Sequence, residues 1–186
     1  WSSDVCSSDL DKSTNLNNAY DLAIVHGGKN FSHIKIFLKK SSSLIYYSTG
    51  SYWKFHNAQE VMRFKNFYKR HNIRLLLDRE IKESEEEVNM AADLIISLGN
   101  KDTARTYVGF KNVRFLHAAS EEETRPPNIK KNKGAKKNYL FMAGPGAIHK
   151  GLDMAIDFFS KNSELNLHIM MTLEQDFLEY YKKELN

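Results

Sequence analysis

From Tyr20 to Leu116, short apolar runs alternate with segments whose apolar residues return every three or four positions. Asp21-Leu-Ala-Ile-Val25 is a run of the first kind and ends in His26-Gly27-Gly28. Leu44 to Thr49, Ile73 to Leu77, Leu94 to Leu98 and Val113 to Leu116 are others, and each predicts a strand. Phe31 to Lys40 predicts a short helix or turn. Asn57 to Arg70 predicts a longer helix, with Asn57 as cap, Glu60 three positions on, and Val61, Phe64 and Tyr68 on one face. Ser84 and Glu87 form a capping box for a helix ending near Ala92, and Thr103 to Val108 predicts a short one. This alternation predicts an α/β fold: a mainly parallel sheet with helices on both faces.

The rhythm stops at Ser120. Residues 121–137 carry charge runs, the Pro126-Pro127 pair and no strand pattern, so they read as a linker. It resumes with an apolar strand over Tyr139 to Ala143 and a loop bearing Gly144 and Gly146. A helix follows, with Leu152, Ala155, Ile156 and Phe159 at helical spacing. A further strand spans Leu165 to Met171. Thr172 and Gln175 then cap a last helix carrying Leu173, Phe177 and Tyr180. The predicted organisation is two Rossmann-like units with parallel sheets, both incomplete: residues 11–120 and residues 138–186, joined by the linker.

Residues 1–10 change the accounting. WSSDVCSSDL has no apolar period and matches neither a signal peptide nor a transit peptide. It resembles a translated sequencing adapter joined to a metagenomic reading frame, and is set aside from fold reasoning. Cys6 is the single cysteine of the 186 residues, so the native part is expected to hold none. Disulfides, thiol catalysis and cysteine metal sites then drop out together. Without Asp4 and Asp9, 27 basic residues face 21 acidic ones, and the formal charge rises from +4 to +6. The expectation is an internal piece of a longer protein.

With 41% hydrophobic and 27% charged residues the chain has a soluble globular composition. No apolar run approaches the roughly 20 residues of a transmembrane helix. The pI near 9.0 points to an acidic partner: nucleotide phosphates, nucleic acid or an anionic membrane surface.

The most specific stretch is Tyr139-Leu-Phe-Met-Ala-Gly-Pro-Gly-Ala-Ile-His-Lys150-Gly-Leu-Asp153. Glycines let a backbone approach a phosphate, a helix start offers N–H groups, and Lys150 adds a charge. This pattern resembles the opening of the donor-binding domain of family-4-type GT-B glycosyltransferases. Met90-Ala-Ala-Asp-Leu-Ile-Ile96 resembles the signature near the end of that family's first domain. The resemblance spans roughly residues 20–186, densely only at 90–100 and 139–160.

The resemblance implies a cytoplasmic hexosyltransferase-like enzyme, for which peripheral association with the inner membrane face is also an expectation. It moves a sugar, with retention, from a nucleotide-sugar donor to a hydroxyl of a glycan or lipid-linked acceptor. Neither metal nor other cofactor is expected. It places Gly144, Gly146, His149, Lys150 and Gly151 at the donor. Gly27, Gly28, Thr49, Gly50, Ser51 and Asn100 fall on the acceptor side. The family commonly has arginine after the first glycine of the donor loop, where this chain has Pro145. Its paired donor-binding glutamates would lie beyond Asn186, so the 186 residues alone are expected to be inactive.

His26, at the end of a predicted strand, is the candidate catalytic histidine, because α/β ligands bind at the carboxyl ends of strands. Glu83, Glu85, Glu86 and Glu87 read as surface residues complementing a helix dipole. Phe64, Phe67, Tyr68, Phe158 and Phe159 read as core. A non-catalytic basic α/β domain binding nucleotide or nucleic acid is the other reading. It rests on the pI and on the lysines of the linker, but no aromatic residues interleave with the basic ones as a base-stacking surface requires.

Overall fold

A computed structural model describes residues 20–117 and 137–185. The decapeptide and all of the linker except Lys137 lie outside the described residues. The described elements run β1 (Tyr20–Val25), α1 (Phe31–Lys35), β2 (Leu38–Ser48), α2 (Trp53–His71), α3 (Glu86–Ala91), β3 (Leu94–Leu98), α4 (Lys101–Arg105), β4 (Val113–Leu116), β5 (Asn138–Met142), α5 (Ala147–Lys150), α6 (Leu152–Phe159), β6 (Asn166–Met170) and α7 (Gln175–Tyr180). The fold is α/β and Rossmann-like, with one four-stranded and one two-stranded sheet, both parallel.

The chain divides into two compact units. The first comprises the described residues up to His56 together with those from Ile81 to Glu121. The second comprises Asn57–Glu80 and the described residues after Glu122. The sequence reading keeps 57–80 with the first unit; by contacts this segment groups with the second.

In the first unit the strands lie in the order β1-β2-β3-β4. Side chains alternate across a strand, so Leu44, Tyr46 and Ser48 of β2 and Ile95 and Ser97 of β3 are buried together. Phe31, Val88 and Tyr107 close that face. Helices were expected on both faces; on the other, Leu22 and Ile24 stay 52% and 66% exposed. β2 starts six residues before the predicted strand and takes up part of the predicted helix. Tyr20 pairs with Leu38 but Leu22 with Ser43, so β2 carries three extra residues there.

The second unit pairs β5 with β6 in register from Asn138–Asn166 to Met142–Met170. Its core joins Phe64 and Phe67 of α2 to Ile148, Leu152, Ile156, Phe177 and Tyr181. α2 begins at Trp53 rather than capping at Asn57, which leaves Glu60 inside the helix and fully buried. The predicted strand Ile73 to Leu77 does not form a ladder. The Leu76 N–H donates instead to Asp176 Oδ2 at 2.9 Å. A polar brace ties the same unit: Arg70 pairs with the buried Asp153, and His71 Nε2 lies 3.0 Å from Asp157 Oδ2. The Tyr180 hydroxyl meets His71 Nδ1 at 3.0 Å, and that of Tyr181 donates to Asp157 at 3.2 Å.

Candidate functional site

Parallel strands end at one edge of a sheet, so the segments following β1, β2 and β3 come together in the first unit. His26, Gly27, Gly28, Thr49, Gly50, Ser51 and Asn100 all follow those strand ends. Four of them, His26, Gly28, Gly50 and Asn100, have local work to do. The His26 Nδ1–H donates to the Tyr47 carbonyl at 2.9 Å. Gly28 lies so close to Ser84 that a Cβ would sit 2.0 Å from its carbonyl oxygen, which makes this glycine a packing requirement. The Gly50 carbonyl accepts from Ser48 Oγ at 2.9 Å and from the Tyr107 hydroxyl at 3.3 Å. Asn100 Oδ1 caps α4, accepting from the Asp102 and Thr103 amides at 2.8 and 3.1 Å. That cap answers, for Asn100, why an asparagine stands there.

Beside this edge sits Glu85, read from sequence as a surface carboxylate and found half-buried. Burial pushes its carboxyl up, while Tyr46, His26 and His56 pull it back. The Tyr46 ring is fully buried, and that burial, with the charge of Glu85, raises its hydroxyl far above the ordinary range. Glu86 likewise is no idle surface charge: it accepts from the Tyr52 hydroxyl and pairs with Lys54 at 2.7 Å.

In the second unit β5 runs into the glycine loop as the motif predicts. Gly146 adopts φ 102° and Gly151 φ 83°, a left-handed backbone that disfavours other residues. At Gly144, by contrast, a Cβ would meet nothing within 4 Å. The amides expected to face a diphosphate are engaged internally. Gly146 N–H and Ala147 N–H donate to the two carboxylate oxygens of Glu174 at 2.7 and 3.1 Å, and Lys150 N–H donates to the Gly146 carbonyl at 2.8 Å. A carboxylate therefore stands where the resemblance puts phosphate oxygens.

The His149 side chain is held from below. Its Nδ1–H donates to Glu60 Oε2 at 2.7 Å, and Arg79 N–H donates to Glu60 Oε1 at 3.2 Å. Burial alone would raise the Glu60 carboxyl; the hydrogen bonds from His149 and Asp78 outweigh it and hold the group below the usual range. Asp78 moves the other way, pushed up to about 7 by burial, then by its bond to Glu60 and by the charges of Glu174 and Glu60.

A cavity of about 200 Å³ opens beside this loop, lined by Arg63, Asn66, Arg70, Ile148, His149, Lys150, Gly151, Asp153 and Met154. It gathers three of the five expected donor residues, His149, Lys150 and Gly151, and leaves out Gly144 and Gly146. Arg63, Asn66 and Arg70 were not foreseen. Their spacing of three and seven along α2 puts them on one helical face, and that regularity was readable in the sequence. A larger cavity of the second unit, about 820 Å³, lies elsewhere, among Ile156, Phe159, Leu167, Ile169, Leu173 and Leu178. Asn138, Asn166, His168 and Glu184 also line it, but it gathers no cluster of positive charges, so the small cavity with Arg63, Arg70 and Lys150 is the better candidate for an anion.

Among the described residues no group of three or more His, Cys, Asp and Glu side chains could hold a metal ion. Nor, among them, is any helix long and apolar enough to cross a membrane. No protein family, no curated protein and no solved structure matches the chain.

Proposed function

We propose that the chain is part of a sugar-nucleotide-dependent glycosyltransferase of GT-B type, with the donor diphosphate at Lys150. The observation that carries this reading is the Lys150 cavity, placed directly after a parallel strand and a glycine turn. A lysine there offers a point charge to a leaving diphosphate, and such charge stabilisation is the main catalytic demand of nucleotide-sugar chemistry. An acceptor hydroxyl attacks the anomeric carbon, the bond to the diphosphate oxygen breaks, and the nucleoside diphosphate leaves with both electrons and takes up the hydroxyl proton. Retention of configuration comes from the resemblance alone.

The geometry modifies the expected site in one respect. With the Gly146 and Ala147 amides on Glu174, side-chain cations rather than loop amides carry the contact. Calorimetric titration with UDP-, ADP- and GDP-sugars tests the reading. One of them should bind wild type, and Lys150→Ala should weaken it at least tenfold with an unchanged thermal melt. Absence of binding by every donor at millimolar concentration, or equal affinity for the variant, would remove the assignment.

A further inference from the structure

Lys150 does not face its cavity alone. Arg63, Asn66 and Arg70 of α2 line the same 200 Å³. The three cations differ in how they are balanced. Arg70 is paired with Asp153, which is 3% exposed, and its Nε lies 3.5 Å from Asp157. Arg70 is thus fixed and its charge answered within the fold. Among the described residues neither Arg63 nor Lys150 has a carboxylate within ion-pair distance. The His149 ring is turned onto Glu60. Two positive charges without a carboxylate partner among the described residues therefore line one small cavity, a setting that favours an anion.

The two are chemically complementary. A guanidinium presents a planar fork suited to two oxygens of one phosphate, while an ammonium is a compact charge that suits a neighbouring oxygen. Asn66, one helical turn from Arg63, adds a neutral donor. Helix α2 is a rigid support for these groups, nineteen residues long and anchored by Phe64 and Phe67 in the core.

We propose that this cavity is a diphosphate-binding site in which Arg63 is a direct ligand, supplying from α2 a guanidinium beside the Lys150 ammonium. The inference rests on the reading of Lys150 as a diphosphate contact, and adds to it a second ligand from a distant part of the chain. It requires only a diphosphate group, whether borne by a nucleoside or free.

Isothermal titration of the whole chain with inorganic pyrophosphate, and separately with UDP and ADP, tests it. The variants are Arg63→Gln, Arg63→Lys, Lys150→Gln and, as a control for overall charge, Lys69→Gln on an exposed position of α2. The Arg63 side chain makes no hydrogen bond or ion pair among the described residues, so circular dichroism and the thermal melt should be unchanged in its variants. Arg63→Gln should bind pyrophosphate at least tenfold more weakly, Arg63→Lys should recover only part of the loss, and Lys69→Gln should stay within twofold of wild type.

Tighter binding of UDP or ADP than of pyrophosphate identifies a nucleotide as the source of the diphosphate, and equal affinities identify the free ion. Wild-type affinity in Arg63→Gln, with loss in Lys150→Gln, would overturn the role of Arg63 and leave the Lys150 reading standing. Loss in both variants with no nucleotide-sugar binding would keep the diphosphate site and remove the glycosyltransferase. No binding of any of the three probes to wild type would overturn both.

Discussion

Asp78→Asn isolates a single buried ionisation. Asp78 is half-buried next to Glu60, which bonds His149, and near Glu174, which holds the glycine loop. Its carboxyl is raised from 3.8 to about 7, so the folded chain keeps the proton that the unfolded chain has lost. Stability from this group is fully present below pH 3.8. It falls as the pH climbs and is gone above about 7. At about 1.4 kcal/mol per tenfold change in proton affinity, the rise sets an upper bound of ~4 kcal/mol. Asp78 is partly reached by water, and screening reduces the expected effect to about 1–2 kcal/mol. Asparagine keeps a donor for Glu60 and removes the ionisation. The stability of Asp78→Asn relative to wild type should therefore improve by that amount between pH 4 and pH 8. Urea titration followed by NMR on Phe67 and Tyr181 signals reads the second unit alone, which matters because two units need not unfold together. A difference between variant and wild type that stays constant from pH 4 to pH 8 would refute the reasoning.

Three further outcomes are expected. Phe67 is fully buried among Phe64, Tyr180 and Tyr181, and Phe67→Ala should cost the second unit about 3–5 kcal/mol in the same titration. Gly28→Ala sets a Cβ against the Ser84 carbonyl and should destabilise the first unit by about 1–3 kcal/mol, read from the fluorescence of Trp53. Asn100→Ala removes the cap of α4 and should cost about 1 kcal/mol, while Asn100→Asp should cost little.

Where sequence pattern served well, the reason was local. Leu94 to Leu98 is a short apolar run closed by a glycine, and β3 occupies the same five residues. Ile73 to Leu77 is a similarly short, leucine-rich run and forms no strand, because a strand needs a neighbour. In the second unit β5 and β6 pair with each other, and the Leu76 amide goes to Asp176. Glu60 shows a different failure. A carboxylate three positions after an asparagine looks like a cap, but its partner His149 stands eighty-nine residues away. The glycine loop and Lys150 were legible as a motif. That Arg63 and Arg70 line the same cavity depends on packing α2 against the end of the chain, which no local pattern records.

That packing has a consequence during synthesis. The apolar face of α2, with Phe64 and Phe67, leaves the ribosome well before Ile148, Leu152, Phe177 and Tyr181, the residues that bury it. At about 5–20 residues per second the gap between Phe67 and Tyr181 lasts on the order of ten seconds. The first unit completes its four strands within that interval, while the helix threaded between β2 and β3 still lacks its core. A nascent chain halted near residue 120 should thus be open to proteases and chaperones at 57–80, in the middle of a unit whose strands have already met.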